Sequence, residues 1–329
     1  MDFNANISLA DFSHKKELTE LWVEAFGDDE KFILSFLDAY MIPQYNVPIA
    51  VADGKIVSAF YLVDFALYSN QKNLGDCAYL FAAATKKEYR NNGSMSELVA
   101  QSAELCKNRG LKAIFLFPQN QNRKLFDFYS KFGFKSIYAA KKIYGRSAEA
   151  RIARPQNSGL RLVNKDITDV NIFDGLYNSY VEFTAKQELA PLKDRLFYFK
   201  CASSYLDIAE NPENKAYFAV FENNVEKICY VFYKKYKNIY YIDDIILPEY
   251  SNISETNQRK FNEAAELLGD FILNSGDDVN FEMNILPSSS LSDSQKNIPM
   301  AMILPLCKSV SDIADNLKSP VYINMFMNI

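Results

Sequence analysis

The chain has 329 residues, 49% apolar and 14% aromatic, with 36 Lys and Arg against 41 Asp and Glu for a net charge of −5. That length suits two domains of ordinary size, and 11 Gly with 11 Pro exclude collagenous and Pro/Gly-rich disordered classes. The mild acidity makes a general nucleic-acid binder a poor expectation. His14 is the single histidine, so two-histidine zinc sites are excluded and any Ser-His-Asp or Cys-His catalysis would have to run through it.

From Ser13 the spacing of Leu18, Leu21, Trp22 and Ala25 predicts a helix, with Gly27 where a C-terminal cap belongs. Asp28-Asp29 offers N-capping chemistry for a second helix carrying Phe32, Ile33, Phe36, Leu37 and Tyr40. Asp53-Gly54, between the apolar runs Ile49 to Ala52 and Lys55 to Leu67, predicts a hairpin. After a polar loop, Cys77 to Thr85 reads as a buried strand. Lys86 to Asn92 is a polar turn, and Ser94 to Arg109 a helix closed by Gly110. Ala113 to Phe117 is strand, Asn122 to Lys131 helix, and Phe134 to Tyr144 strand after Gly133. The stretch from Cys77 to Phe117 is therefore a strand–helix–strand unit.

A polar segment interrupted by Pro155 follows, and the pattern then repeats. Ala219-Val220-Phe221, Asn223-Asn224 and a strand to Tyr233 echo the first hairpin; Glu249-Tyr250 echoes Glu88-Tyr89; Ala265-Glu266-Leu267 echoes Ala103-Glu104-Leu105; and Phe281 to Pro287 echoes Phe115 to Pro118. Duplication is the economical reading. The expected division is a first domain over 1–145, a linker over 146–158 and a second domain over 159–329. The class is α/β, a mixed sheet with flanking helices in each half.

Cys77, Cys106, Cys201, Cys229 and Cys307 form no C-x-x-C pair, so neither a disulfide framework nor a zinc ribbon is indicated. The start has no basic and apolar leader pattern, and no apolar run approaches the roughly 18 residues of a membrane span. A cytoplasmic protein without membrane partner is the expectation.

Chemistry is concentrated after the third strand, in Thr85-Lys86-Lys87-Glu88-Tyr89-Arg90-Asn91-Asn92-Gly93-Ser94-Met95-Ser96. A strand that stops, a turn with one glycine and a helix that starts at once leave several N–H groups facing outward at the positive end of a helix dipole. That arrangement suits phosphate. It is equally the pattern of a capped turn in which Gly93 serves only its backbone angles.

The run from Cys77 to Thr85 followed by Glu88 to Gly93 resembles the central motif of the GNAT acyltransferase superfamily, Arg/Gln-x-x-Gly-x-Gly/Ala. Phe126-Asp127-Phe128-Tyr129-Ser130-Lys131-Phe132-Gly133-Phe134 looks like that family's following motif. The resemblance covers Ile7 to Tyr144. With a degenerate second copy, the chain looks like the two N-terminal domains of the enhanced-intracellular-survival type of acetyltransferase. The length leaves no room for that type's third domain.

The resemblance implies an acetyl-CoA-dependent N-acetyltransferase acting by direct transfer, without metal, on a small-molecule or peptide amine. Ala83, Ala84 and Thr85 would pair with the pantetheine arm. Asn91, Asn92, Gly93, Ser94, Met95 and Ser96 would wrap the diphosphate, with Arg90 alongside. Met95 departs from the small residue usual at its position. Asn120 would bond cofactor amides, or simply cap a helix. Tyr129 falls where the family keeps a proton donor for the departing thiolate, and reads otherwise as a core aromatic.

A lysine-like amine must lose a proton before attack, at about 4.6 kcal/mol at pH 7. Glu24, Asp28 and Asp29 are candidates to assist, on the acceptor side of this family, or are solvated caps. The terminal Met327-Asn328-Ile329 sits in an apolar run, so the catalytic role of that family type's C-terminal carboxylate is not carried over. In the second copy Glu249-Tyr250-Ser251-Asn252-Ile253 lacks both the arginine and the glycine. No second cofactor is expected there. That copy would wall the acceptor cleft with aromatics such as Tyr233, Tyr236, Tyr240 and Tyr241. The alternatives are a non-catalytic acyl-CoA-binding module and a tandem transferase with another acyl donor.

Overall fold

The computed structural model describes residues 6–40, 46–118, 123–146, 159–207, 215–248, 257–275, 279–285 and 298–317. The chain forms two compact units. The first comprises Met1–Leu67, Leu74–Lys135 and Ala301–Asn316; the second comprises Tyr68–Asn73, Ser136–Met300 and Leu317–Ile329.

The first unit begins with β1 (Asn6–Leu9), α1 (Lys15–Phe26) and α2 (Glu30–Tyr40). His14 is the N-terminal cap residue of α1 and completes a capping box with Asp11, which places it in a structural role. Leu18, Leu21 and Trp22 bury the inner face of α1, and Gly27 ends it in the left-handed region, donating to Val23 O at 2.9 Å. β2 (Pro48–Ala52) and β3 (Lys55–Ser69) form the expected hairpin, with Asp53 and Gly54 both at positive φ. β4 (Lys72–Thr85) starts earlier than Cys77, because Asn70 and Gln71 both take positive φ and turn the chain within two residues. The polar loop expected there is mostly strand. Next come α3 (Ser94–Asn108), β5 (Ala113–Leu116) and α4 (Arg123–Ser130).

The strands lie in the order β1–β2–β3–β4–β5, with β4 and β5 parallel. Beyond β5 comes β13 (Ile298–Pro305), antiparallel to it, with Met302 opposite Leu116 and Leu304 opposite Ile114. Here the structure departs from the contiguous division into 1–145 and 159–329: residues 301–316 group with the first unit. The physical cause is pairing and burial. β13 covers the edge of β5, Val310 of α8 (Lys308–Asp315) is fully buried, and Lys135 Nζ donates to Asp315 Oδ1 at 2.5 Å.

The second unit repeats the element order. β7 (Arg161–Asn164) precedes α5 (Val170–Ala185), β8 (Ala190–Leu192) and α6 (Arg195–Asp207). A hairpin of β9 (Lys215–Glu222) and β10 (Lys227–Tyr236) continues into β11 (Ile239–Ile246), α7 (Asn257–Leu273) and β12 (Asn280–Ile285). β12 is parallel to β11, as β5 is to β4. Its other edge pairs antiparallel with β6 (Lys135–Arg146), so Arg146 is a strand residue rather than linker. The rest of the expected linker, 147–158, lies outside the described residues. Asp169 caps α5 as acceptor from the Asn171 and Ile172 N–H groups. The core is aromatic: Phe173, Tyr180, Tyr198, Phe218 and Phe232 are all buried.

Candidate functional site

The site is assembled where β4 parts from β5. Their parallel register joins Ala78 to Ile114 and Tyr79 to Phe115, while β4 runs on to Thr85. Within that extension Ala82 takes φ 48°, a left-handed angle uncommon for a residue with a side chain. The other edge of the strand end is tied to β3. Ser58 Oγ donates to Ala84 O at 3.0 Å and lies 2.8 Å from Thr85 Oγ1, and Lys86 N–H donates to Val57 O at 2.9 Å. Backbone groups of alternate strand residues face the same neighbour. Ala84 and Lys86 therefore face β3, and Thr85 faces the opened side. Thr85 O is met there by Arg90 Nε at 3.1 Å.

The turn after β4 is a single 3₁₀ turn, Lys87–Tyr89, then Arg90 in extended conformation, Asn91 at φ 64° and Gly93 at φ 93°. Gly93 occupies the N-cap position of α3 and has no side chain to cap it. Asn92 performs that task from one residue earlier, its Oδ1 accepting from Ser94 N–H at 3.1 Å and Ser94 Oγ at 2.6 Å. The N–H groups of Asn91, Asn92, Gly93, Met95 and Ser96 meet no acceptor among the described residues. The result is a set of donors gathered at a helix N-terminus with a positive dipole end behind them. Met95 packs on the hydrophobic core, so the bulky side chain at that motif position is absorbed by the protein interior. Arg90 is exposed; its N–H donates to Lys87 O at 3.4 Å and its side chain bonds the strand end.

Tyr129 lies on α4, whose inward residues are Phe126 and Tyr129. Its ring stands edge-on to Phe128 at 5.0 Å and to Phe134 at 5.5 Å. It belongs to the same apolar cluster as Leu80, Leu98 and Leu116, with Ala83 and Met95 at the cluster's margin. Burial pushes the phenol up to about 12. Tyr129 is thus a core aromatic and, at the same time, a phenol that keeps its proton. The structure joins the strand end at Thr85 to the turn at Arg90 by a hydrogen bond, and the neighbouring Ala83, Tyr89 and Met95 pack on the core that contains Tyr129. Asn120 lies outside the described residues.

The carboxylates proposed as bases are each engaged. Asp28 Oδ2 accepts from Trp22 Nε1 at 2.7 Å, Asp29 Oδ1 caps α2 through Lys31 N–H at 2.9 Å, and Glu24 Oε1 accepts from Lys87 N–H at 3.4 Å. Trp22 is the hub of an aromatic cluster with Phe26, Phe32, Phe36, Tyr61 and Phe81, all with ring centroids within 6.5 Å. Phe81 comes from β4, immediately before Ala82, so this cluster borders the same strand end. Sequence reading found α1 and α2 but not this convergence. Ser58 and Ala82 were also missed: a serine within an apolar strand and an alanine at positive φ carry no local signal.

In the second unit, β10 and β11 also contain a register shift, after which Phe232 opposes Asp244 and Tyr233 opposes Ile242. The unpaired residue, Asp243, accepts from Tyr205 OH at 2.8 Å and lies 3.5 Å from Lys234 Nζ. Lys193, between β8 and α6, is fully buried, and burial lowers its ammonium to about 8. Tyr233 is stacked on Tyr217 and tilted against Tyr240 within the unit's own sheet. The turn with Glu249 to Ile253 lies outside the described residues. Among the described residues no group of three or more His, Cys, Asp or Glu side chains could hold a metal ion, and no helix is long and apolar enough to cross a membrane.

Residues 6–137 match the family model of the acetyltransferase (GNAT) domain. This segment is a GNAT acetyltransferase domain. It holds β4, the turn at Arg90, α3, β5 and Tyr129. Solved structures extend the likeness of fold across both units. A probable N-acyltransferase from Enterococcus faecalis superposes with TM-score 0.68 at 14% identity, over 92% of this chain and 73% of its own. A GCN5-related N-acetyltransferase from Anabaena variabilis gives 0.65 at 13% identity, over 92% and 73%. Eis1 from Mycobacterium abscessus gives 0.65 at 11% identity, over 94% and 76%. No curated protein matches the chain in sequence. With the repeated element order, these likenesses make the architecture two GNAT-like domains in tandem.

Proposed function

We propose that the protein is an acetyl-CoA-dependent N-acetyltransferase whose first domain carries the chemistry and whose acceptor is a primary amine on a small molecule or peptide. The observation that carries this reading is the set of N–H groups of Asn91, Asn92, Gly93, Met95 and Ser96 that meet no acceptor among the described residues, beside a strand end whose outer edge β5 has left. The diphosphate of coenzyme A fits this set, and its pantetheine amides fit the strand end as a further strand would.

The reaction follows by direct transfer. A neutral amine attacks the thioester carbonyl, the carbon–sulfur bond breaks, and the nitrogen gives up its extra proton as the thiolate leaves. Tyr129 supports this as a hydrogen-bond donor to the charge growing on sulfur. Moving the proton itself from a phenol at about 12 to a thiolate of ordinary basicity, near 8.5, would be uphill by about 5 kcal/mol. Glu24, Asp28 and Asp29 all hold structural bonds, so the amine proton is expected to leave through water. Low polarity around Trp22 and Tyr61 favours an uncharged amine.

Isothermal titration of the full chain with acetyl-CoA, NAD and ATP tests the reading. Acetyl-CoA is expected to bind in the micromolar range and the others far more weakly. Release of free thiol is then followed across polyamines, amino acids, aminoglycosides and peptides. Absence of binding overturns the reading; binding with no thiol release from any acceptor supports a non-catalytic acyl-CoA module instead.

A further inference from the structure

Ser58 is a fully buried polar residue in the middle of β3, flanked by Val57 and Ala59 and followed by Phe60. A hydroxyl in such a place costs stability unless bonded, and a β-branched apolar residue would suit the strand better. Its two partners are both at the end of β4: Ala84 O at 3.0 Å and Thr85 Oγ1 at 2.8 Å. The hydroxyl has one proton to give. With that proton on Ala84 O, Thr85 Oγ1 donates its own to Ser58 Oγ, and both hydroxyls are consumed.

The peptide plane then transmits the constraint. In a trans peptide the carbonyl and the following N–H point in opposite directions. Holding Ala84 O toward β3 aims Thr85 N–H away from β3, at the side β5 has left. One peptide further, Lys86 N–H is held to Val57 O at 2.9 Å, so Thr85 O is aimed the same way and meets Arg90 Nε. Two consecutive planes beyond the irregular Ala82 are thereby fixed from behind, although among the described residues no strand supports them in front.

We infer that Ser58 is a positioning residue for the acyl-donor site: by pinning the Ala84–Thr85 peptide it presents the Thr85 N–H to the pantetheine arm of coenzyme A. This rests on the proposed function. The role belongs to the pantetheine half of the ligand only, since the diphosphate half would be held by the turn from Asn91 to Ser96.

Titration calorimetry with coenzyme A and, separately, with ADP tests it on wild type, Ser58→Ala and Ser58→Thr, each confirmed folded by its melting curve. Ser58→Ala is expected to weaken coenzyme A by about 3- to 10-fold, the range of one lost hydrogen bond, and to leave ADP within twofold. Ser58→Thr, which keeps the hydroxyl, is expected to restore most of the loss. In turnover, Ser58→Ala should raise KM for the acyl donor more than it lowers kcat. Unchanged coenzyme A affinity in Ser58→Ala, or an equal loss for ADP, overturns the inference and leaves the proposed function standing. A wild-type protein that ignores coenzyme A overturns both.

Discussion

Trp22 and Asp28 are joined by a hydrogen bond of 2.7 Å from the indole Nε1 to Oδ2, across the break between α1 and α2. The bond satisfies a buried indole that stands among five other aromatic residues, and it uses a carboxylate that the family resemblance offers as a base. Asp28→Ala is therefore expected to lower stability by about 1–3 kcal/mol, the cost of orphaning a buried donor. Its pH–rate profile should keep the wild-type shape. Loss of one limb of that profile in Asp28→Asn would make Asp28 the base.

Tyr129→Phe keeps the ring contacts with Phe128 and Phe134 and removes the hydroxyl. The expected result is a fall in kcat of about 100-fold, the scale of one lost donor to a developing charge, with KM for the acyl donor within a few-fold of wild type and the melting temperature little changed. Because burial holds the phenol near 12, its ionisation should leave no break in the wild-type rate below pH 10. Full activity in Tyr129→Phe would reduce the residue to its packing role.

Gly93 has φ +93°, and a Cβ there would meet no atom within 4 Å. The cost of Gly93→Ala is then confined to the backbone, about 1–2 kcal/mol for an L side chain held left-handed. Relaxing that strain would turn the N–H groups at the start of α3. ADP and coenzyme A are expected to weaken together, by about 10-fold, in calorimetric titration. This contrasts with Ser58→Ala, where only coenzyme A should suffer, and equal ADP binding in Gly93→Ala would place the diphosphate elsewhere.

Lys193 makes the second unit sensitive to alkaline pH in a definite direction. Its ammonium is lowered from 10.5 to about 8 in the folded chain, chiefly by burial. Between those values the unfolded chain holds the proton and the folded one does not, so stability rises with pH through that window. Below about pH 8 both forms are protonated and the penalty, about 3 kcal/mol, is fully present. Lys193→Met should remove it, giving a more stable protein at pH 7 and a flatter denaturation profile from pH 8 to 10.5. Equal slopes in mutant and wild type would mean that another group governs the window.

Much of this architecture can be read locally. Asp53-Gly54 turns where its chemistry requires positive φ, Gly27 ends α1 as a left-handed cap, and Arg90 to Ser96 forms the donor-lined turn. Each is decided by a few adjacent residues. What escaped is decided across space. Asn70-Gln71 makes a tight turn without glycine, so local sequence signals start β4 later than the fold does. Ala82 takes the left-handed region where β4 runs on beyond its pairing with β5, against its own preference. Ser58 acquires meaning only when β4 lies beside it. Glu24, Asp28 and Asp29 read as candidate bases or as caps; Asp29 is a cap, while the partners of Glu24 and Asp28, Lys87 and Trp22, are fixed by the fold.

The return of Ala301–Asn316 to the first unit has a consequence for synthesis. Lys135 and Ser311 are 176 positions apart in the chain, yet their side chains meet at 3.3 Å. Until the ribosome has passed residue 305, the rim of β5 has no β13 and its backbone groups stand bare, an invitation to pair with a neighbouring nascent chain. Closing so long a loop also slows folding. A gene truncated after residue 145 should accordingly yield aggregates rather than an autonomous half, and co-expression of a peptide spanning 298–317 is the natural way to recover it.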